Sequence, residues 1–130
     1  MKRFYLTSLI LLLLTAAVNA DQIDSIAWLI KQGNSQRLSQ LLSPSVEITM
    51  GEQENSYSKR QAIEVITKFF NEHRPVKSTL LHKVNSGSKF LFGVVIYTSN
   101  NGVYRIAYTI DITQKSTRII EIRIEPLKTK

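Results

Sequence analysis

The sequence predicts an α+β domain in which N-terminal helices cover one face of an antiparallel sheet. Three observations predict it. Apolar residues recur at helical spacing in the first half of the chain. Ser58-Lys59-Arg60-Gln61 is a capping-box pattern that opens a further helix. From Val76 onward the chain reads as strand after strand, with turn residues between them.

A leader precedes the domain. Lys2 and Arg3 form a positive start, residues 9–14 are all Leu or Ile, and Val18 and Ala20 are small enough for a cleavage site. The apolar stretch falls short of the about 20 residues a membrane span needs. Together these parts match a secretory signal peptide over residues 1–20, cleaved near Ala20. The alternative is an uncleaved N-terminal anchor. With cleavage, residues 21–130 form one domain that is periplasmic or extracellular, with no stable membrane anchor.

The elements follow in order. Residues 21–32 read as a helix, with Ile23, Ile26, Ala27 and Ile30 on its stripe. Gly33 suits the left-handed residue that ends it. Asn34 or Ser35 caps a shorter helix to about Leu42, and Ser43-Pro44-Ser45 breaks it. Val46, Ile48 and Met50 alternate with polar residues, as in a strand with one wet face. Residues 51–57 read as a polar loop. The capped helix runs from Ser58 to about His73 with Ala62, Ile66, Phe69 and Phe70 as its stripe, and Arg74-Pro75 ends it. Four strands follow, over about 77–85, 89–98, 103–112 and 117–125.

Turn chemistry sets registers. Asn101-Gly102 at the centre of a hairpin places Tyr97 opposite Ile106 and Val95 opposite Tyr108. In the next hairpin, opposing Arg105 to Glu125 avoids the like-charge pair Arg105–Arg123. One face then carries Leu91, Val95, Tyr97, Ile106, Tyr108, Ile110, Ile112, Ile120, Ile122 and Ile124. The other carries charged residues plus Phe90, Phe92, Val94 and Ile96, all from one strand. That second apolar set needs a cover of its own and is the candidate interface. A turn at Ser86-Gly87 would face His82 to Leu91, on the inner side.

Composition narrows the functions. The chain has no cysteine, which excludes disulfides, thiol chemistry, cysteine zinc sites and a lipid-modified cysteine after the leader. The formal charge is +7, but the basic residues are scattered and form no stripe for nucleic acid.

The helix end Lys31-Gln32-Gly33-Asn34, Tyr57-Ser58-Lys59-Arg60-Gln61-Ala62, the Phe69-Phe70 pair, Thr98-Ser99-Asn100-Asn101-Gly102-Val103-Tyr104-Arg105 and Ile122-Arg123-Ile124-Glu125 carry a resemblance. Over the whole domain the chain resembles an uncharacterised family of short exported bacterial proteins, typical of Bacteroidota. That family has a nuclear-transport-factor-2-like fold. The resemblance implies a cone: helices packed on the concave face of a curved antiparallel sheet. It brings no activity with it. The wider superfamily holds isomerase- and dehydratase-like enzymes and many non-enzymatic binding or dimerising domains, so fold alone decides little.

Isomerases of that superfamily place carboxylates or tyrosines inside the cone. Here Tyr97 and Tyr108 point inward, but no carboxylate of the last three strands does, and a proton-shuttling enzyme needs a tuned base in its pocket. No catalytic residue is assigned. Tyr97, Tyr108, His82 and Trp28 are the candidate cone-lining, ligand-binding residues; Trp28 lies off the main helical stripe, where it closes the cone mouth or packs. His73 sits at a helix end that suits a positive ring. Two distant histidines offer no metal-ligand spacing, and no cofactor motif is present. The expectation is an exported, non-catalytic binding module, as a homodimer or with an envelope protein partner. The alternative is a small enzyme or carrier for a hydrophobic ligand held in the cone.

Overall fold

Helix α1 spans residues 22–32, at the start of a computed structural model that describes residues 22–85, 87 and 89–128. The expected leader lies outside the described residues. Ile23, Ile26, Leu29 and Ile30 of α1 are buried, and Ala27 is half-buried. Gly33 adopts φ +63°. Its N–H donates to the Ile30 carbonyl at 3.0 Å, and Asn34 N–H reaches back to Leu29 at 2.9 Å. This pair of bonds closes the helix end with a left-handed residue, as the glycine foretold. Asn34 then caps α2 (Ser35–Gln40) by accepting from Arg37 N–H at 3.1 Å.

Strand β1 (Leu42–Met50) begins directly after α2, so Ser43-Pro44-Ser45 belongs to a strand instead of a break. Proline is tolerated there because the β1–β6 register shifts between Leu42 and Glu47, and a bulge needs no N–H from every residue. Residues 53–57, expected as loop, join Ser58 in β2 (Gln53–Ser58), antiparallel to β1. They are mostly exposed and polar, so no apolar alternation announced them. Helix α3 (Lys59–Glu72) follows with both halves of its capping box made at 3.2 Å. Its buried residues are Ala62, Ile66, Phe69 and Phe70, the expected stripe.

Strands β3 (Pro75–Asn85), β4 (Phe90–Ser99), β5 (Gly102–Asp111) and β6 (Arg118–Leu127) complete a six-stranded sheet of order β2-β1-β6-β5-β4-β3. The sheet is curved and unclosed. All pairings are antiparallel except β1 with β6. The helices pack on the concave face, where one core joins their buried residues to Val46, Ile48, Leu91, Val95, Tyr97, Ile106, Tyr108, Ile110, Ile119, Ile122 and Ile124.

Two registers differ from expectation. Ser99 pairs with Gly102, so Asn100 and Asn101 are the central turn residues and Tyr97 faces Tyr104, Val95 faces Ile106. Neither asparagine has positive φ, so the turn does not use the Asn-Gly geometry. The β5–β6 pairing is as expected, Arg105 opposite Glu125, until a bulge between Thr109 and Ile110. Beyond it Ile119, not Ile120, turns into the core; Ile120 is half-buried.

Gly93 opposes Tyr108, whose ring lies across it. A Cβ at Gly93 would sit 2.3 Å from Tyr108 Cζ. Gly93→Ala must therefore displace the ring. We expect a loss of about 2–3 kcal/mol in urea unfolding, the range for overpacked cores. In a double-mutant cycle with Tyr108→Leu that loss should shrink, since the obstructing ring tip is gone. Additive losses would contradict the contact.

Candidate functional site

The cone interior is filled. Its residual cavity is about 20 Å³, lined by Ile26, Phe69, Phe70, Tyr108, Ile119 and other apolar side chains. That is room for about one water, in a wall that offers no partners for it. Tyr97 and Tyr108 do lie inside, but both hydroxyls are committed. Tyr108 donates to the Ile23 carbonyl of α1 at 2.6 Å. Tyr97 donates to the His73 carbonyl at the end of α3. Burial raises both phenols far above their ordinary pKa, reinforced by Tyr104 beside Tyr97 and by Asp24 near Tyr108. Neither is a proton donor for a substrate at neutral pH. They tie helices to the sheet.

A polar knot sits at the end of α3, unforeseen in the sequence. Asn101 Nδ2 donates to the Glu72 carbonyl at 3.0 Å, which leaves Oδ1 to accept from His73 Nδ1 at 2.7 Å. The His73 proton is thereby placed on Nδ1, which also lies 3.1 Å from the Tyr104 hydroxyl. Asn100 N–H donates to the Arg74 carbonyl at 3.1 Å. Ser99 Oγ accepts from Asn101 N–H. The His73 ring packs on Phe69 and Tyr104, each 4.9 Å away between centroids. The one available signal was Asn100-Asn101, read as turn chemistry alone.

His82 and Trp28 do not line the cone. Five residues, not two, separate the last β3–β4 pair, so Asn85 opposes Leu91 and His82 opposes Val94 on the outer face. A register error of an odd number of residues flips every side chain. His82 is exposed. Trp28 is 56% exposed on the outward side of α1, since the core-facing positions belong to Ile23, Ile26, Leu29 and Ile30. No group of His, Asp and Glu among the described residues is arranged to hold a metal ion.

Phe90, Phe92, Val94 and Ile96 do share the outer face, half-buried by their neighbours and outside the core. Val84 and Thr109 flank Phe92; His82 and Ala107 flank Val94; Thr79 and Arg105 flank Ile96. Val84 adds exposed apolar surface, at 47%. Beyond β5 the face turns charged, with Arg105, Glu125, Arg123 and Glu121. Asp111 lies at its end, held below the usual carboxylate range by hydrogen bonds from the Thr113 side chain and backbone and by nearby Arg118.

The model of "Domain of unknown function (DUF4783)" matches residues 23–125. The chain belongs to this family. A DUF4783 crystal structure from Bacteroides uniformis is 24% identical, covers 82% of this chain and 97% of its own, and superposes with a TM-score of 0.76. One from Bacteroides fragilis is also 24% identical, with coverage of 78% and 95% and a TM-score of 0.74. A designed protein of nuclear-transport-factor-2 type shares the fold at 12% identity, with coverage of 85% and 98% and a TM-score of 0.62. No functionally curated protein matches. The DUF4783 cone of this chain has a closed interior.

Two measurements check the interior ties. The folded pKa of Tyr97 and Tyr108 stands above the unfolded value of 10.0. Above pH 10 the unfolded state therefore binds fewer protons, and stability falls as pH rises. Tyr97→Phe and Tyr108→Phe should each flatten that alkaline slope, while costing about 1–2 kcal/mol at pH 7 through the orphaned carbonyl. An unchanged slope in both would refute the assignment. Asn101→Ala should lower stability by about 1 kcal/mol or more, because three bonds centre on it. A variant as stable as the parent in denaturant melts would show the knot to be incidental.

Proposed function

We propose that the domain is a non-catalytic interaction module, exported from the cytoplasm, that pairs with a second copy of itself through the outer face of the sheet. The observation that carries this reading is the apolar strip of Phe92, Val94 and Ile96 with Val84, which lies outside the core while the cone interior is full. A large apolar patch left in water is costly and marks a contact surface. The strip runs along β4 beside a band carrying both signs, Arg105 and Arg123 with Glu121 and Glu125. A two-fold axis through β4 lays strip on strip, and each copy's mixed charges then rim the contact. That is the self-complementarity an isologous dimer needs.

The closed interior supports a binding role over an enzymatic one. No ionisable side chain borders the 20 Å³ cavity except Tyr108, whose hydroxyl is taken. Export rests on the leader pattern of residues 1–20.

Light scattering on the purified protein over a range of concentrations tests the pairing. We expect a dimer. Phe92→Lys and Val94→Lys should weaken it by at least about tenfold, the loss typical of a central contact residue, with unchanged circular dichroism. A parent protein that stays monomeric at the highest concentration would overturn the reading.

A further inference from the structure

We propose that the groove beside Trp28 binds a neutral sugar ring, stacked on the indole and hydrogen-bonded by the polar side chains around it. The groove lies on the helical side of the molecule, between α1, the end of α2 and the approach to β6. Its volume is about 630 Å³, and Trp28, Gln22, Asp24, Arg37 and Thr117 border it over a floor that includes Ile26. Small-ligand sites occupy about 300–1,000 Å³ and combine such a floor with a few convergent polar groups.

Three features mark it as more than a surface dent. Trp28 is over half exposed, although indole is among the most rewarding side chains to bury. The Lys31 ammonium sits 5.7 Å from the ring centroid and borders a separate, smaller groove with Ser78 and Leu80. Trp28 itself borders both grooves. Asp24 is held by Lys83 at 2.7 Å through one oxygen, which steadies the other as an acceptor.

The chemistry selects the ligand class. An anion would meet Asp24, and an organic cation would meet Arg37. A purely apolar ligand would strip water from the polar rim and leave it unpaired, at a cost of a few kcal/mol. A pyranose satisfies every group. Its C–H face lies on the negative face of the indole. Its hydroxyls accept from Arg37, donate to Asp24, and do both with Thr117.

Trp28 is the single tryptophan of the chain, so its emission reports this groove alone. The test titrates the purified protein with cellobiose, maltose and chitobiose, followed by fluorescence and by calorimetry. We expect a saturable change with at least one. Trp28→Ala and Arg37→Ala should each lower the calorimetric affinity by about tenfold or more, with the circular dichroism spectrum retained. No saturable response to any of the three sugars overturns the proposal. So does sugar binding that survives Trp28→Ala. The light-scattering outcome is independent of both.

Discussion

Tyr108 spans the full thickness of the domain, from the floor of the sheet to the backbone of α1. It does so only because Gly93, opposite it on β4, has no side chain to occupy the same space. The ring lies in the gap and its hydroxyl meets the Ile23 carbonyl. That bond fixes how far α1 stands from the sheet. It also fixes the helix's rotation, because Ile23, Ile26 and Ile30 then face the core and Trp28 faces away. A buried hydroxyl without a partner would cost about 1–3 kcal/mol, as much as burying a whole aliphatic side chain yields. The tyrosine is therefore a demanding residue at this position. It holds the cone closed, and everything on the surface of α1 follows from it.

A second tie of the same kind explains the β4–β5 turn. A helix ends with carbonyls that have no intrahelical donors. At the end of α3 these needs are met by one hairpin: Asn101 donates to Glu72, Tyr97 to His73, and Asn100 to Arg74. The hairpin can serve all three only if Asn100 and Asn101 sit at its tip. That requirement outweighs the local preference for Asn-Gly at the centre of a turn. Turn propensity is a matter of tenths to one kcal/mol, whereas three orphaned carbonyls cost several. The tertiary contact wins.

The same comparison explains what was legible in the sequence. The helix ends and the α3 stripe were, because each rests on neighbours within four residues: Gly33, the Ser58–Gln61 box, Phe69 and Phe70. The inner face of β4 and β5 was legible too, although the pairing was displaced by two residues. An even displacement keeps every side chain on its face. The β3–β4 pairing was displaced by three, and an odd displacement carried His82 to the wrong side. Ile119 and Ile120 show the bulge version of the same rule. β2 left no trace because, apart from Tyr57, its side chains face water and have no reason to alternate. Trp28 was noted as off the stripe, but what surrounds it, Arg37 from α2 and Thr117 from before β6, comes from residues far apart in the chain.

A closed cone leaves room inside for no more than about one water. In a fold whose concavity can serve as a pocket, this chain spends the space on Ile, Phe and two fully committed tyrosines. Opening it for a ligand would mean giving up several large buried side chains, each worth about 1.5–3 kcal/mol. A domain with no disulfide to hold it has little to give. The surfaces that remain lie on different sides of the molecule: the β4 strip on the outer sheet face, and the Trp28 groove on the helical side. A pair joined through its sheets would thus display two Trp28 grooves facing outward. Two linked weak sites engage a repeating target far better than one, because the second contact becomes intramolecular. On that argument the packing of Tyr108 against Gly93 does more than hold the fold. It fills what could have been a pocket, and both proposed contact surfaces accordingly lie on the exterior.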